Sequence, residues 1–494
     1  MYVAHGAPAL VLLNALFSMT NAESQSLNIA VVGAGPGGYA AAFLAADLGM
    51  NVTLIDPEAY PGGVCLYRGC IPSKALLHVA KLLEETLQAK NWGIDFPSPT
   101  IDLARLRSWK EGVVAKLTGG LGQLSKQRKV QYVQGKAAFE NSTTLQVTKN
   151  NGEQQALSFD KIILATGSRP AIVPALKIDS PRMMDSTAAL NLEEVPKSLL
   201  VVGGGYIGLE LGSVYAALGT RVTVVEMLPG LLPGADRDLV LPLHRRLEKM
   251  FEAILVSTTV ASIREEANGL RATFEGPNVK EREKLFDRVL VSVGRKPNSE
   301  IPGLDKTQVE IGARGFIQVN KQLQTKDPAI YAIGDVVGEP MLAHKASHEG
   351  RVAVEAIAGH KVAFEPHAIP AVVFTDPEIA WAGLTETQAE KENREIKVAK
   401  FPWGASGRAM TLDRPEGMTK LLVDPKTERV LGVGIVGAGA GELIAEGVLA
   451  IEMAALASDV AMSIHPHPTL SETLMESAEV FYGTSTHIYR PKRG

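Results

Sequence analysis

The sequence has very few cysteines, two among 494 residues. A small secreted scaffold held together by disulfides needs many more, so that class of protein is excluded. Charge of one sign is not in excess either, since 50 Lys and Arg face 54 Asp and Glu and leave a formal net charge of −4. This balance gives no electrostatic reason to expect binding to nucleic acid or to an anionic membrane.

Long hydrophobic runs are also lacking. The most apolar early segment, Pro8 to Met19, is shorter than the roughly 20 residues that cross a bilayer. No Lys or Arg precedes Arg68, whereas a signal peptide needs a basic start and a mitochondrial presequence needs Arg. We therefore predict a cytoplasmic protein, with export as the alternative. The sequence leaves open that Met19 is the working start and that residues 1–18 are an upstream extension.

One pattern occurs twice in the chain. Leu27 to Asp56 and Leu199 to Glu226 each contain an apolar strand, a glycine turn, a helix and a second β-branched strand. In both, the acidic residue that ends the second strand follows the first glycine by 23 positions. A GxGxxG turn in this context predicts a dinucleotide-binding unit. The residues predicted to contact the dinucleotides are Gly33, Gly35, Gly38 and Asp56 in the first unit and Gly203, Gly205, Gly208 and Glu226 in the second.

The residue types in these turns match the chemistry of a dinucleotide. Glycine lets backbone N–H groups approach a pyrophosphate at the start of a helix, and a carboxylate accepts hydrogen bonds from a ribose diol. The same carboxylate repels a 2′-phosphate, and no Arg follows Glu226 until Arg237. The second unit is therefore predicted to bind NAD rather than NADP.

The two cysteines, Cys65 and Cys70, lie in the segment PGGVCLYRGCIPSKA. They do not fit a zinc site, which needs four ligands, so no metal site is predicted. Buried inert thiols and a redox disulfide both remain open from the spacing. Residues i and i+5 of a regular helix are badly placed for a disulfide, but Gly63, Gly69 and Pro72 indicate an irregular backbone. The pair begins nine residues after the first unit, so a flavin bound there would lie close to it.

The segment GGVCLYRGCIPSKALL resembles the active-site segment of the dihydrolipoyl dehydrogenases, usually GGxCLNxGCIPSKALL, within the pyridine nucleotide–disulfide oxidoreductases. The motifs ATGSRP, VVGGGYIGLELGSVYAALG, SVGRKPN, YAIGDV with MLAHKASHEG, and HPHPTLSE follow in the family's order. The resemblance covers about residues 27–490. Tyr67 and Arg68 stand where the lipoamide enzymes more often have Asn and a Val- or Arg-like residue, and Asp56 replaces the commoner Glu.

The resemblance implies an α/β fold, with two Rossmann-like dinucleotide-binding domains, for FAD and NAD, and a C-terminal α+β dimerisation domain. The expected divisions are an N-terminal extension (1–26), the first part of the FAD-binding domain (27–168), the NAD-binding domain (169–296), a central domain that completes the FAD site (297–362) and the interface domain (363–494).

The resemblance also implies an activity: oxidation of dihydrolipoamide to lipoamide through a Cys65–Cys70 disulfide and FAD, with hydride passed to NAD⁺. Cys65 corresponds to the thiol that reacts with substrate and Cys70 to the thiol against the flavin. His467 corresponds to the base for the dithiol, and Glu472 holds its other ring nitrogen. In this family the histidine comes from the partner subunit, so a homodimer is expected.

Further site residues follow from the matched motifs, and two of them have a simpler alternative. Lys74 and Glu210 are expected to pair beside the flavin, with an exposed surface pair as the alternative. Thr469 and Glu472 also fit a helix capping box. The remaining residues implied for FAD are Lys74, Thr166, Gly167, Ser168, Asp335, Met341, Leu342, Ala343 and His344, and those for NAD are Glu210 and Gly294.

The expected partners are those of a lipoamide enzyme. They are a second copy of the chain and either the lipoylated acyltransferase of a 2-oxo acid dehydrogenase complex or the carrier protein of the glycine cleavage system. Nucleic acid and membrane are not expected. Two other functions stay open: a flavin reductase that acts on a different disulfide or a metal ion, and a non-catalytic redox-sensing subunit.

Overall fold

The computed structural model describes residues 26–277 and 279–489. The interpretations of residues 1–18 and of Met19 lie outside the described residues. Among the residues described, no helix has both the length and the apolar character that crossing a bilayer requires.

The first repeated unit forms the centre of a seven-stranded sheet. Asn28–Val32 is buried beyond its first residue and pairs in parallel with Asn51–Asp56 on one side and Lys161–Leu164 on the other. Parallel strands covered on both faces are apolar along their whole length, which explains the unbroken runs in the sequence. Across the sheet the strands are Ile330–Ala332, Lys161–Leu164, Asn28–Val32, Asn51–Asp56, Gln131–Asn141, Thr144–Lys149 and Gln154–Ser158.

The second unit forms a parallel five-stranded sheet of the same design. Its order is Ala253–Leu255, Arg221–Val225, Ser198–Val202, Arg288–Val291 and Met183–Met184. An antiparallel sheet of Thr259–Glu266, Gly269–Glu275 and Glu283–Phe286 extends from it, and a ribbon of Ser168–Pro170 with Arg295–Pro297 links the two units.

The C-terminal part is an antiparallel sheet flanked by helices. Its strands, in order, are Ala371–Val373, Glu378–Gly383, Val430–Gly437, Met418–Val423 and Lys397–Pro402. The change from parallel to antiparallel strands coincides with the alternating polar and apolar pattern that begins near residue 363.

Helices cover the sheets and carry the glycine turns and the cysteines. The described α-helices are Pro36–Asp47, Gly63–Arg68, Cys70–Gln88, Leu103–Gln127, Ser186–Asn191, Tyr206–Ala217, Arg237–Met250, Ala343–Ile357, Glu386–Lys391, Gly407–Thr411, Ala440–Glu452, Ala457–Met462 and Glu472–Tyr482. The 3₁₀ turns are Ala89–Trp92, Pro174–Leu176, Leu304–Lys306, Gly334–Val336 and Trp403–Ala405.

The two units share a hydrophobic core next to the cysteines. Leu76, one turn and a half beyond Cys70, is buried in the same cluster as Leu209 and Val214 of the second unit. This packing fixes the helix Cys70–Gln88 against Tyr206–Ala217, the helix that follows the second glycine turn. The fold class predicted from the sequence is confirmed; the domain boundaries remain predictions.

Candidate active site

Both glycine turns have the same geometry. Gly33 and Gly203 begin them with φ of +100° and +108°, a region that favours glycine. A Cβ on Gly38 would lie 1.9 Å from the carbonyl oxygen of Gly33, and one on Gly208 would lie 2.3 Å from that of Gly203. The third glycine of each turn is therefore required for close packing of the helix on the turn.

The acidic residues of the two units also make equivalent contacts. Asp56 accepts hydrogen bonds from the N–H groups of Ala34 (2.7 Å) and Glu58 (2.9 Å). Glu226 accepts them from Gly204 (2.7 Å) and Leu228 (2.8 Å). Burial raises the pKa of Asp56, and these backbone hydrogen bonds partly offset the effect. Each carboxylate is thus held beside a glycine turn with lone pairs left for a ribose diol.

The first unit opens into a cavity of about 700 Å³ that suits an extended dinucleotide. Its wall includes Gly35 and Asp56 at one end and Cys65, Cys70 and Asp335 elsewhere. The helices after both turns begin at glycines that provide no side-chain cap, so their first N–H groups remain available to phosphate oxygens. These features fit FAD at the first unit and a second dinucleotide at Gly205.

Arg237, the first arginine after Glu226, is already committed to the backbone. Its guanidinium donates to the carbonyl oxygens of Leu231 (2.7 Å), Leu232 and Ala235. It is therefore not available to neutralise a 2′-phosphate, in agreement with the predicted preference for NAD.

The cysteines stand on either side of a break between two helices. Cys65 lies in Gly63–Arg68, and Cys70 is the first residue of Cys70–Gln88. Gly69 separates them, and a Cβ there would lie only 2.8 Å from the carbonyl oxygen of Val64. The break removes the obstacle that a continuous helix would place between residues i and i+5. Both side chains are free thiols in the structure.

The two thiols act on each other and differ in pKa. Hydrogen bonding to the Cys70 sulfur, together with burial, raises the pKa of Cys65 above its usual value. The same bond lowers the pKa of Cys70 to about 7 against the effect of burial, and the ammonium group of Lys74 lowers it further. Cys70 is thus the sulfur that carries the thiolate when the pair is reduced.

This difference gives a pH prediction. Because thiolate forms above the pKa, alkylation of Cys70 in the reduced protein should rise with a midpoint near pH 7. The rate is followed with iodoacetamide and mass spectrometry of the Cys70 peptide. Cys65→Ala and Lys74→Met each remove a group that lowers this pKa, and each should move the midpoint upward. A wild-type midpoint at about 8.5, the value of a free thiol, would contradict the assignment.

Lys74 and Glu210 form an ion pair beside the cysteines. The Nζ–Oε2 distance is 2.8 Å, and the Glu210 side chain is only 4% exposed. The other carboxylate oxygen accepts the N–H of Phe374 at 3.0 Å, and Lys74 Nζ lies 4.5 Å from the centre of the Phe374 ring. The alternative of an exposed surface pair is therefore wrong, because the carboxylate is buried and joins three distant segments of the chain.

A polar network surrounds Asp335 on the opposite wall. Its carboxylate accepts the hydroxyl of Ser168, which in turn accepts Arg295 Nε at 2.7 Å. The residues implied for FAD that line the cavity here are Thr166, Gly167, Ser168, Asp335, Met341 and Ala343. Leu342 and His344 are not among its lining residues, and His344 Nε2 bonds instead to the carbonyl of Pro370 at 2.8 Å.

Histidine and carboxylate pair on the C-terminal domain. His467 Nδ1 lies 2.9 Å from Glu472 Oε1, and the His467 side chain is 72% exposed. The other oxygen of Glu472 accepts the N–H of Thr469 at 2.8 Å, so the carboxylate both ties the loop and orients the imidazole. Burial alone would raise the pKa of Glu472, but these two hydrogen bonds lower it below its usual value. The alternative of a capping box that starts at Thr469 is wrong, because the helix begins at Glu472 with Ser471 as its N-cap and no side-chain cap hydrogen bond.

His465 supports this loop from the other side. Its Nε2 lies 2.8 Å from Glu446 Oε1 and its Nδ1 lies 2.7 Å from the carbonyl oxygen of Ser463. The His467 imidazole is bound through Nδ1, and among the described residues no hydrogen bond or ion pair joins it to either cysteine of the same chain.

Comparisons with known proteins agree with this geometry. The family model described as pyridine nucleotide-disulphide oxidoreductase matches residues 27–350, and the dimerisation domain of that family matches 369–478. The chain belongs to the pyridine nucleotide-disulphide oxidoreductase family. The resemblance drawn from the motifs is thereby confirmed, and so are the predicted cofactors FAD and NAD.

Individual relatives and structures show how close the likeness is. A dihydrolipoyl dehydrogenase of Haemophilus influenzae is 49% identical over 94% of this chain and 97% of the relative. One of Geobacillus stearothermophilus is 46% identical over 93% and 97%. The crystal structure of LpdA from Mycobacterium tuberculosis has a TM-score of 0.85 at 26% identity and covers 92% of this chain and 99% of that one. The Escherichia coli flavoprotein disulfide reductase RclA has a TM-score of 0.80 at 28% identity and covers 90% and 98%.

Several cavity residues were not identified from the sequence. Arg295, Tyr206, Glu58 and Arg68 all line the cavity. Arg295 and Tyr206 stand inside motifs that the sequence analysis used, SVGRKPN and VVGGGYIG, so those motifs contained the available signal. Glu58 lies outside these motifs, and its place in the cavity wall depends on the path of the loop after Asp56.

A group of carboxylates between the second unit and the C-terminal domain resembles a metal site. Asp236, Asp238 and Glu386 each offer an oxygen within 4.8 Å of the others. The ammonium of Lys420 lies 2.6–2.7 Å from all three, and that of Lys400 lies 2.6 Å from Asp238 and 3.1 Å from Glu386. Two protein cations thus offset most of the negative charge, and the cluster joins two domains by a partly buried ion-pair network.

Proposed function

We propose that the chain is an FAD-dependent dihydrolipoyl dehydrogenase that oxidises dihydrolipoamide to lipoamide and reduces NAD⁺. The observation that carries this proposal is the polarised cysteine pair in the wall of the dinucleotide cavity, with Lys74 and Glu210 behind it. The high identity to curated dihydrolipoyl dehydrogenases over almost their full length supports the substrate.

Each residue has one task in the proposed reaction. His467 accepts a proton from a thiol of dihydrolipoamide, and the resulting thiolate attacks Cys65 of the oxidised pair. A mixed disulfide forms and Cys70 leaves as a thiolate; the second substrate thiol then displaces Cys65, so that lipoamide departs and both cysteines are reduced. The cavity residues Asp56 and Asp335 would hold FAD, which would supply two-electron transfer between the reduced cysteine pair and NAD⁺. Glu472 fixes the imidazole and stabilises its protonated form.

The homodimer is the assembly in which this site is complete. His467 is exposed on the dimerisation domain, and the segment before it in the same domain carries strongly exposed apolar side chains. These are Leu449, Met453, Met462 and Ile464, the last of them fully exposed. Apolar side chains exposed together mark a protein interface. We infer that a second copy covers this face and receives His467 into its own cavity.

The partners outside the homodimer follow from the proposed substrate. A dihydrolipoyl group reaches the protein either on an acyltransferase of a 2-oxo acid dehydrogenase complex or on the carrier protein of a glycine cleavage system. A cytoplasmic location stays a prediction.

The first experiment measures NAD⁺ reduction by dihydrolipoamide with purified, FAD-loaded protein, with NADP⁺ in a parallel assay. We expect rapid turnover with NAD⁺ and at least about a hundredfold lower kcat/KM with NADP⁺, because Glu226 repels a 2′-phosphate and Arg237 is committed elsewhere. Flavin reduction by NADH without dihydrolipoamide turnover would instead favour a reductase of another disulfide, as the likeness to RclA allows.

A further inference from the structure

The loop that follows Asp56 is held by side chains rather than by regular structure. All four backbone carbonyls of residues 57–60 accept a side-chain hydrogen bond. The donors, in the order of the carbonyls, are Asn150 (2.8 Å), Tyr132 (3.0 Å), Gln134 (3.0 Å) and Tyr67 (3.0 Å). Three of them come from the sheet side of the loop, and Tyr67 comes from the helix that carries Cys65.

Tyr67 binds the loop at two points with one hydroxyl group. The hydroxyl donates to the carbonyl oxygen of Tyr60 and accepts the N–H of the same residue at 3.2 Å. Both backbone groups of Tyr60 are therefore satisfied by a side chain that lies between the two cysteines in sequence.

Arg68, the next residue, reaches the same loop. Its Nη1 lies 2.6 Å from Glu58 Oε1, and both residues line the cavity beside Asp56. The N–H of Glu58 is in turn bound to Asp56. A short path of contacts thus runs from the helix Gly63–Arg68, through the Arg68–Glu58 ion pair, to Asp56, the carboxylate assigned to the FAD ribose.

Tyr67 is also a position at which this chain departs from the usual lipoamide motif, which more often has Asn there, and Arg68 is one of the residue types that occur at the next position. The aromatic hydroxyl and the guanidinium are long enough to reach the 57–60 loop. An Asn in place of Tyr67 is too short to make the contact with Tyr60 seen here, and a Val in place of Arg68 has no polar group for Glu58.

We propose that Tyr67 and Arg68 are positioning residues that couple the cysteine-bearing helix Gly63–Arg68 to the FAD-binding loop at 57–60, so that one structural unit both retains FAD and places the cysteines. The proposal rests on the proposed function in its assignment of Asp56 to FAD. Its test uses flavin release and absorbance, so it does not depend on dihydrolipoamide being the substrate.

The primary variant is Tyr67→Phe in the FAD-loaded protein, with Tyr60→Phe as the matched control. Each removes one phenolic hydroxyl, but only that of Tyr67 holds the loop. We expect Tyr67→Phe to release FAD about five- to tenfold faster, the effect of one partly exposed hydrogen-bonding group, as measured by the gain in flavin fluorescence after dilution. We also expect it to weaken the cysteine–flavin charge-transfer absorbance of the NADH-reduced protein, while Tyr60→Phe changes neither.

A second control distinguishes loss of the contact between the loop and the Gly63–Arg68 helix from a loop that is only more mobile. Asn150→Ala frees the carbonyl of Pro57 without touching the cysteine helix. It should speed FAD release but leave the charge-transfer absorbance unchanged. If Tyr67→Phe speeds FAD release without weakening the charge-transfer absorbance, as expected for Asn150→Ala, or changes neither, as expected for Tyr60→Phe, the proposed coupling is wrong.

Arg68 is tested through its partner. Arg68→Val should speed FAD release and weaken the charge-transfer absorbance, and Arg68→Lys should restore part of both. In a chain that already carries Glu58→Ala, which has no acceptor for Arg68, Arg68→Val should add little further effect. A full additional effect in that background would show that Arg68 does not act through Glu58. If Tyr67→Phe does not fold, Tyr67→Asn, the residue more common at this position, provides the same two measurements.

Discussion

Replacing Cys65 by serine is expected to reduce dihydrolipoamide oxidation by more than about a thousandfold, because an alcohol can neither form the mixed disulfide nor accept an electron pair from a dithiol. FAD should remain bound, since in the described part of the chain no hydrogen bond to the dinucleotide turn involves the Cys65 side chain. Steady-state NAD⁺ reduction measures the first effect and the flavin-to-protein absorbance ratio the second.

The control for this variant is a reaction that needs the flavin and NADH but not the cysteines. Reduction of an artificial electron acceptor by NADH should continue in Cys65→Ser at a rate close to that of the wild type. Cys70→Ser should lose turnover as well, and it should also lose the thiolate step near pH 7, because Cys70 is the sulfur with the lowered pKa. Retention of wild-type dithiol turnover in Cys65→Ser would refute the assignment of the redox pair.

The repeated units were predictable from the sequence because their signals are local. A glycine with positive φ, a third glycine forced by close packing and an acid at a fixed distance all lie within about 30 residues of chain. The same local logic predicted the irregular backbone at Gly69. These features recur in the structure with nearly the same distances in both units.

Other parts of the site depend on contacts between distant segments, which no local pattern contains. Glu210 receives Lys74 from the first unit and the Phe374 N–H from the C-terminal domain, 136 and 164 positions away. The sequence left this pair open between buried and exposed, and only the packing of three segments decides it. The position of Arg295 on Ser168 is a similar case, 127 positions apart.

The exposure of His467 agrees with the proposal that it serves the cavity of a second copy. Its imidazole is oriented by Glu472 and is 72% exposed. His467→Gln should therefore lower dihydrolipoamide oxidation by about a hundred- to ten-thousandfold, the usual contribution of a general base. NADH-dependent reduction of an artificial acceptor should be little affected, since that reaction does not involve a dithiol proton.

Mixing two inactive variants tests whether His467 acts across the dimer. If Cys65→Ser and His467→Gln chains exchange subunits, each mixed dimer contains one site with the intact cysteines of one chain and the intact histidine of the other. Random exchange places half of the molecules in mixed dimers with one working site of two, so activity should recover to about one quarter of the wild-type value. If His467 instead acts on the cysteines of its own chain, every site carries one defect and mixing restores nothing. The same mixture prepared without subunit exchange is the control, and it should stay inactive in both cases.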